Sequence, residues 1–432
     1  MATGTAEIAN HTIAKNDQRN YALPMVLMVS LYFSIGFITA LNDILVPHFK
    51  DLFHLTNVLA LLVQFCFFGA YFVMSLPAGW TVNRIGYKSG IITALSIMGT
   101  GLLLFLPASI AISYPLFLFA LFVVGSGLAL LQVAVNPYVG ALGTPETATY
   151  RLNLCGFLNS LATTLAPKLG AIFIFVAAGA TTAQLARSVR APYLAIAGFA
   201  FLLAVVTYFV PLPELIPTKE ADSTSPGTSD GNAWQFVHLR FGALAIFTYV
   251  GAEVAIGSIM ITFLGQPSMG SLSHAAAAVY VSLYWGGTMI GRLIGTFALI
   301  WVRAQRALAA VATCALLLVT VTLFGNGHVA LWAIVSCGLF NSVMWPCIFP
   351  LSVKGLGRFT SQGSGILIMM VVGGAIIPEI QGLLADKFGY QHSYIIVLLC
   401  YAYLIFFALS GHRIRQSRNL PLANDALPAE AV

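Results

Sequence analysis

Apolar residues run along the chain in long blocks separated by short polar breaks. The blocks fall approximately over residues 22–49, 57–80, 88–111, 115–142, 152–178, 192–212, 241–265, 275–301, 307–325, 329–353, 361–385 and 392–411. A helix needs about 20 apolar residues to cross the hydrocarbon core of a bilayer, so the pattern predicts twelve transmembrane helices. The longest polar interval, PLPELIPTKEADSTSPGTSDGNAW (211–234), separates the sixth block from the seventh. Its Pro, Ser, Thr, Asp and Gly read as a flexible linker. The expected organisation is a cytoplasmic tail over 1–21, a six-helix half over 22–212, a cytoplasmic linker over 213–240, a second six-helix half over 241–411 and a cytoplasmic tail over 412–432. The fold class is all-α and integral to the membrane.

The two halves echo each other. FFGAYFVMSLPAG (67–79) in the second block and YWGGTMIGRLIG (284–295) in the eighth share an aromatic-aromatic-Gly start. APKLG (166–170) and IPEIQG (377–382) correspond in the fifth and eleventh blocks. Both pairs are about half a chain apart, which predicts parallel six-helix repeats around an axis along the membrane normal, a transporter architecture.

Composition names the solvent. Of the 432 residues, 59% are hydrophobic and 8% charged, against roughly 25% charged in an ordinary soluble domain. Even a large globular protein must cover a wet surface, so a water-soluble enzyme is excluded. The net charge of +6 then becomes a question of sidedness and not of nucleic-acid affinity. With the N-terminus inside, fourteen of the twenty Lys and Arg lie on the cytoplasmic face, Arg84, Lys88, Arg151, Arg303, Arg306 and Lys354 among them. Four lie outside, and Lys168 and Arg292 remain within spans. That asymmetry predicts both termini in the cytosol, with the polar N-terminal stretch retained because it shows no convincing cleavage site. All six cysteines fall inside apolar blocks, without metal-ligand spacing or the density of a disulfide framework.

Charges inside the spans are costly and therefore few. The acidic ones are Asp43, Glu253 and Glu379. At about 1.5 Å per residue, Glu253 lies roughly 18 Å into the seventh span, near the midplane, and Asp43 lies past the middle of the first. A carboxylate in apolar surroundings is expensive to charge, so it can load and release a proton near neutral pH. Asp43 and Glu253 are therefore the candidate cation-coupling residues; the alternative for each is a structural pair or a helix-to-helix hydrogen bond. Lys168 and Glu379 each follow a proline at corresponding places in the two halves. Together they form a candidate outer ionic gate, against the simpler alternative that Lys168 snorkels to the interface and Glu379 reaches cavity water.

Uncharged polar residues point to the ligand. Gln132 and Asn136 share a helix face by their spacing of four, as do Asn341 and Trp345. Pro137, Pro346 and Pro350 interrupt the same helices and free backbone carbonyls that are tolerable only when packed or facing a wet cavity. Asn42, Gln64, Asn153 and Asn159 add amides in other spans. Amides fork hydrogen bonds to neighbouring hydroxyls and aromatic faces stack on sugar C–H surfaces, so the set suits an uncharged polyol or sugar; interhelical glue is the alternative for any single amide. GLGRFTSQGSG (355–365) is glycine-rich but lacks the Lys-Ser/Thr ending of a phosphate-binding loop. ATP-driven pumping is thus unsupported, and no nucleophile-base constellation indicates an enzyme.

GWTVNRIGYK (79–88) resembles the loop signature of the major facilitator superfamily, with Asn83 where an Asp is usual. Losing that carboxylate leaves Arg84, the candidate inner-gate cation, without one possible partner. A finer resemblance, from about Asn20 to Gly411, is to the fucose/glucose/galactose branch of the superfamily. It is carried by LNDILVPHFK (41–50), LVQFCFFGAYF (62–72), LLQVAVNPYVGALG (130–143), RLNLCGFLNS (151–160), YVGAEVAIGS (249–258), YWGGTMIGRLIG (284–295) and GLFNSVMWPCIFPLSVKGLGRFTSQGSG (338–365).

This resemblance implies the major facilitator fold and a hexose importer of the bacterial inner membrane, driven by a proton or sodium gradient. It implies that Asp43 is the acidic, sugar-binding and proton-linked position and that Asn159 contacts sugar. Gln132 stands where fucose-proton symporters carry a coupling glutamate, and Gly156 where family members commonly have glutamine. Both departures move the expected sugar from fucose toward glucose, galactose or N-acetylglucosamine, and the coupling burden toward Asp43 and Glu253. The expectation is a monomeric sugar symporter without cofactor or metal, whose sugar site draws on Asn42, Gln64, Gln132, Asn136, Asn159, Asn341 and Trp345. The alternatives are a fucose or other deoxyhexose-proton symporter, or a facilitator or sensor that binds sugar without concentrating it.

Overall fold

The computed structural model describes residues 22–55, 57–174, 181–213, 231–269, 271–272 and 274–414. The expected N-terminal tail, most of the expected linker and nearly all of the expected C-terminal tail lie outside these residues. Every regular element among them is helical. In chain order they are α1 (Ala22–Phe53), α2 (Asn57–Leu103), α3 (Phe105–Ala111), α4 (Tyr114–Ala141), α5 (Ala148–Ile174), α6 (Thr182–Ser188), α7 (Arg190–Phe209), α8 (Val237–Leu264), α9 (His274–Trp301), α10 (Ala304–Phe324), α11 (Gly327–Asn341), α12 (Met344–Val353), α13 (Thr360–Met369), α14 (Gly373–Phe388), α15 (Tyr390–Ser393) and α16 (Ile395–Phe406).

The helix α7 shows the sidedness that lipid allows. On α7 the large side chains Phe199, Leu202, Val205 and Phe209 point outward, while Ala197, Ala200 and Ala204 are buried. Lipid is as apolar as leucine, so sequestering large side chains gains little, and small residues face inward because they let backbones approach closely.

Nine helical runs among the described residues are long and apolar enough to cross a membrane, or ten if α11 and α12 form one bent pass. One of them, Leu62–Ala111, is 50 residues long, about 75 Å if straight against a core of about 30 Å. It breaks at Gly86, whose φ of 81° and ψ of 167° lie in a region essentially reserved for glycine. Beyond the break the chain folds back. Phe67 and Ala70 before it, and Met98 after it, pack against the same turn of α4, at Gly125 and Gly127. The loop signature read from the sequence is thus a hairpin turn between two passes. A Cβ at Gly86 meets no neighbour within 4 Å, so Gly86→Ala is expected to act through backbone strain alone, at about 1–3 kcal/mol. Thermal unfolding of the purified protein in detergent would register this, and an unchanged midpoint would contradict the assignment. α5 has 27 residues, enough to span, but it carries Arg151, Asn153 and Asn159 and is not among the most apolar helices.

The prolines act unequally. α4 continues through Pro137 and α12 through Pro350, both within about a turn of the helix end, where only the last hydrogen bonds are at stake. Pro346 coincides with a real break: α11 and α12 meet at 41°. Its ring conflicts with the carbonyl four residues earlier and it offers no N–H to that carbonyl, which is that of Ser342. The break also separates Asn341 from Trp345, so the two do not share one continuous helix face as their spacing predicted.

α1, α2, α4, α5 and α7 pack together, as do α8 to α12, α14 and α16. The two groups meet where α13 crosses α2 and α4 and where α5 crosses α9. At the first crossing a Cβ on Gly365 would lie 2.5 Å from the Ser75 carbonyl oxygen, and one on Gly79 would lie 2.7 Å from that of Ser361. Ser361 Oγ also donates to the Tyr87 hydroxyl at 3.2 Å. At the second, Asn153 Nδ2 donates to the Arg292 carbonyl and to Thr296 Oγ1. Both crossings lie toward the end of the bundle that carries Arg84, Arg151, Arg303 and Arg358, the cation-rich side of the sequence.

Candidate functional site

Polar side chains gather in the middle of the bundle in two clusters. The first joins α1, α4 and α5. The Tyr32 hydroxyl donates to Asn136 Oδ1, and Asn159 Nδ2 donates to the Tyr32 carbonyl at 3.0 Å. This approach depends on Gly36, where any side chain would overlap the Asn159 backbone. One turn before Asn136, Gln132 Nε2 donates to the Tyr71 hydroxyl at 2.8 Å. The shared face expected of Gln132 and Asn136 is therefore present, and it points at two tyrosines. Asn136 is 2% exposed, and its Nδ2 has no hydrogen-bond partner. An orphaned buried amide donor costs about 1–3 kcal/mol, so this one is a natural place for a ligand oxygen.

The second cluster is built on α8, α9, α11 and α16. Asn341 Nδ2 donates to the Tyr284 hydroxyl at 2.8 Å, and Asn341 Oδ1 accepts from the Tyr401 hydroxyl at 2.7 Å. Tyr284 in turn donates to the Glu253 carbonyl at 3.0 Å. Both ends of the Asn341 amide are thus engaged in fastening three helices, which makes it a strut in this state and not an open contact. Trp345 is half-buried and stacks on Phe349, with ring centroids 6.1 Å apart.

Glu253 and Arg292 lie between the clusters. Glu253 is partly buried, and its Oε1 has no hydrogen-bond partner. Tyr249, one turn earlier on α8, interacts with both the Glu253 carboxylate and the Arg292 guanidinium. Arg292 donates from Nε to the Ser342 carbonyl at 3.2 Å and from Nη1 to the Gly156 carbonyl at 3.0 Å and to Ser160 Oγ. The carbonyl that Pro346 frees is therefore taken up by Arg292, well inside α9.

The other expected site residues distribute as follows. Gln64 is half-buried on α2. Asn42, Asp43 and Lys168 belong to α1 and α5, but their side chains lie outside the described ones. Glu379 is exposed on α14. Arg84 is exposed, with its guanidinium 5.3 Å from the centre of the Trp80 ring, a contact worth about 0.5–1 kcal/mol at an exposed site. Sequence reasoning missed Tyr32, Tyr71, Tyr249, Tyr284 and Tyr401, whose hydroxyls complete the polar clusters. In an apolar block a tyrosine reads as bulk, and no spacing signal marks these five. Arg292 did carry a signal, as the arginine inside one of the apolar blocks read from the sequence, but nothing in the sequence gave it a partner.

The profile of the Major Facilitator Superfamily matches residues 28–378. Among curated proteins, a glucose/galactose transporter of Brucella abortus is 47% identical over 399 residues, covering 92% of this chain and 96% of that protein. An L-fucose-proton symporter of Escherichia coli is 34% identical over 413 residues, covering 90% and 93%. Among solved structures, the transporter FucP in its outward conformation is similar with a TM-score of 0.81 at 31% identity, covering 90% of this chain and 99% of that one.

Proposed function

Because the chain belongs to the major facilitator superfamily, we propose that it is a secondary transporter that imports a hexose, glucose or galactose foremost, together with a cation. The observation that carries this reading is the 47% identity, across nearly the whole chain, to a protein named glucose/galactose transporter. The first polar cluster supports it: Asn136 and Asn159 present amides beside Tyr32, a set that recognises hydroxyls without requiring ligand charge. Gln132 cannot ionise, so in this reading Asp43, assisted by Glu253, carries the coupling. The cation is a proton first and sodium second.

The chain is a multi-pass membrane protein. We assign twelve passes by dividing the run at Gly86, counting α11 with α12 as one pass and including α5; six fall in each half, joined by the linker over 213–240. The proposed setting is the bacterial inner membrane, with a monomer whose termini are cytoplasmic. In that orientation the crossings of α2 with α13 and of α5 with α9 close the cytoplasmic side, and the sugar site faces outward, in keeping with the outward conformation of the similar solved structure. The halves then rock about the central site to deliver sugar to the other face.

Uptake of labelled galactose by proteoliposomes tests this. Accumulation is expected when the proton gradient is imposed and is expected to collapse with a protonophore. Competition by unlabelled glucose, galactose, N-acetylglucosamine and fucose ranks the substrates. Competition by fucose alone would favour the second reading, a deoxyhexose symporter, which the similarity to the fucose-proton symporter supports. Uptake that never exceeds equilibration would identify a facilitator. Accumulation that follows sodium and ignores the protonophore would change the cation.

A further inference from the structure

Arg292 is the charge within the spans that the sugar site, the coupling carboxylates and the candidate outer gate all leave unaccounted for. Burying a guanidinium away from water is costly unless its donors are met, and here they are met across the interface between the halves. Two of its three hydrogen bonds go to α5, at Gly156 and Ser160, and the third to the carbonyl freed at the α11–α12 break. A Cβ at position 156 would lie 3.7 Å from Arg292 Cδ, ordinary van der Waals contact, so the arginine side chain runs close beside the α5 backbone there. The α5 turn that Arg292 holds is the turn of Asn159, which in turn holds the Tyr32 carbonyl.

On its other side the same cation acts electrostatically on Glu253, and Tyr249 interacts with both. Among the described residues, the groups that act on Glu253 are Tyr249 on its own helix, Arg292 and Tyr284 from α9 and Tyr401 from α16. Arg292 is the cation among them. Besides Glu253 and Tyr249, Arg292 acts on Tyr32 from α1. The guanidinium thus stands between a carboxylate of its own half, with one oxygen unpartnered, and two acceptors of the opposite half.

We propose that Arg292 is a positioning residue that carries the charge state of Glu253 across the interface to the α5 turn of Asn159. With Glu253 neutral, Arg292 stays on Gly156 and Ser160, the halves are tied at the centre and the sugar amide is held in place. With Glu253 ionised, the carboxylate competes for the guanidinium, the tie to α5 loosens and sugar affinity falls. The proton that neutralises Glu253 comes from water and returns to water, and no other group changes its charge. This inference rests on the reading of Asn159 as a sugar contact, and two measurements keep the two claims apart.

The first is galactose affinity of the purified protein as a function of pH. Wild-type affinity is expected to weaken as pH rises, and Glu253→Gln to reduce that slope to the part Asp43 contributes while keeping tight binding. Arg292→Gln is expected to weaken binding about tenfold at low pH and to flatten the profile. Arg292→Lys, a point charge without the fork that reaches three acceptors, is expected to rescue little. Ser160→Ala removes a single acceptor without disturbing the buried charge, and it is expected to show a smaller loss in the same direction, which covers the case in which Arg292→Gln fails to fold. At high pH, where Glu253→Gln alone is expected to tighten binding and additivity would carry that gain over, the double variant is expected to bind no more tightly than Arg292→Gln alone, since both act along one path.

The second needs no sugar: amide hydrogen exchange over residues 156–160 is expected to quicken with pH in the wild type and not in Glu253→Gln. Wild-type affinity in Arg292→Gln, additive effects in the double variant, or exchange over 156–160 that ignores both pH and Glu253 would each overturn the proposal. If no hexose binds the wild-type protein, the sugar reading fails, and the exchange result alone decides whether Arg292 relays charge to α5.

Discussion

Replacing Asp43 with Asn is expected to lower steady-state sugar accumulation to about the ratio a passive carrier reaches, while exchange of labelled for unlabelled sugar across the membrane continues. Coupling requires that cation and sugar bias the same conformational change, and Asn keeps the shape and hydrogen bonding of the carboxyl but cannot take up a proton or neutralise a cation. By spacing alone Asp43 continues the stripe of Tyr32, Gly36 and Thr39 on α1. The start of that stripe carries the contacts to Asn136 and Asn159. Gln132, which reaches Tyr71 beside that stripe, cannot ionise, so it cannot take over the proton-linked role of Asp43. The measurement is paired: proton-driven accumulation and counterflow in the same proteoliposomes. Unchanged accumulation would remove Asp43 from coupling, and loss of both activities would make it a binding or folding residue instead. Glu253→Gln in the same assay separates the assisting role, since it is expected to reduce accumulation without eliminating it.

The architecture was legible in the sequence wherever one position dictates local geometry. Gly86 within NRIGYK marked a turn, and its φ of 81° is the reason a side chain is absent there. Pro346 marked a broken helix, and the break falls at the carbonyl its ring displaces. The spacing of Gln132 and Asn136 placed both on one face of α4, which the structure bears out. What escaped was everything that depends on which helices become neighbours. Asn341 reads the same as Asn136 in sequence, yet the hydroxyls of Tyr284 and Tyr401, more than fifty residues away on either side, occupy it on both ends, while Asn136 keeps a free donor. Arg292 likewise found its acceptors on α5, over a hundred residues earlier. Hydrophobic periodicity carries no information about such pairings, because each helix buries a polar residue at the same cost whichever partner relieves it.

Replacing Gly365 with Leu is expected to abolish net uptake while leaving the protein folded. Gly365 and Gly79 let α13 and α2 cross with their backbones in contact: a Cβ at Gly365 already lies 2.5 Å from the Ser75 carbonyl and 3.5 Å from Gly79 Cα. Neither obstacle is a side chain that can swing away, so a leucine must push the two helices, and the halves they belong to, apart. Moving a two-state equilibrium from 99:1 to 1:99 takes about 5.5 kcal/mol, and overpacking at a site that can relax already costs about 1–3 kcal/mol. A leucine against an unyielding backbone costs more than at such a site, and the whole of that cost falls on the state closed at this crossing. The strain is relieved by separating the halves rather than by unfolding either, since the crossing joins one half to the other. With the native cysteines replaced by alanine, a cysteine at the buried position Ser361 reports the change. Its reaction with a membrane-impermeant thiol reagent from the cation-rich side is expected to be slow in the parent and fast in Gly365→Leu. Gly198→Leu, on the exposed face of α7 where a Cβ meets nothing within 4 Å, is the size-matched control and is expected to transport as the parent does. Parent-like uptake by Gly365→Leu would mean that the α2–α13 crossing is not a closure the transport cycle must make.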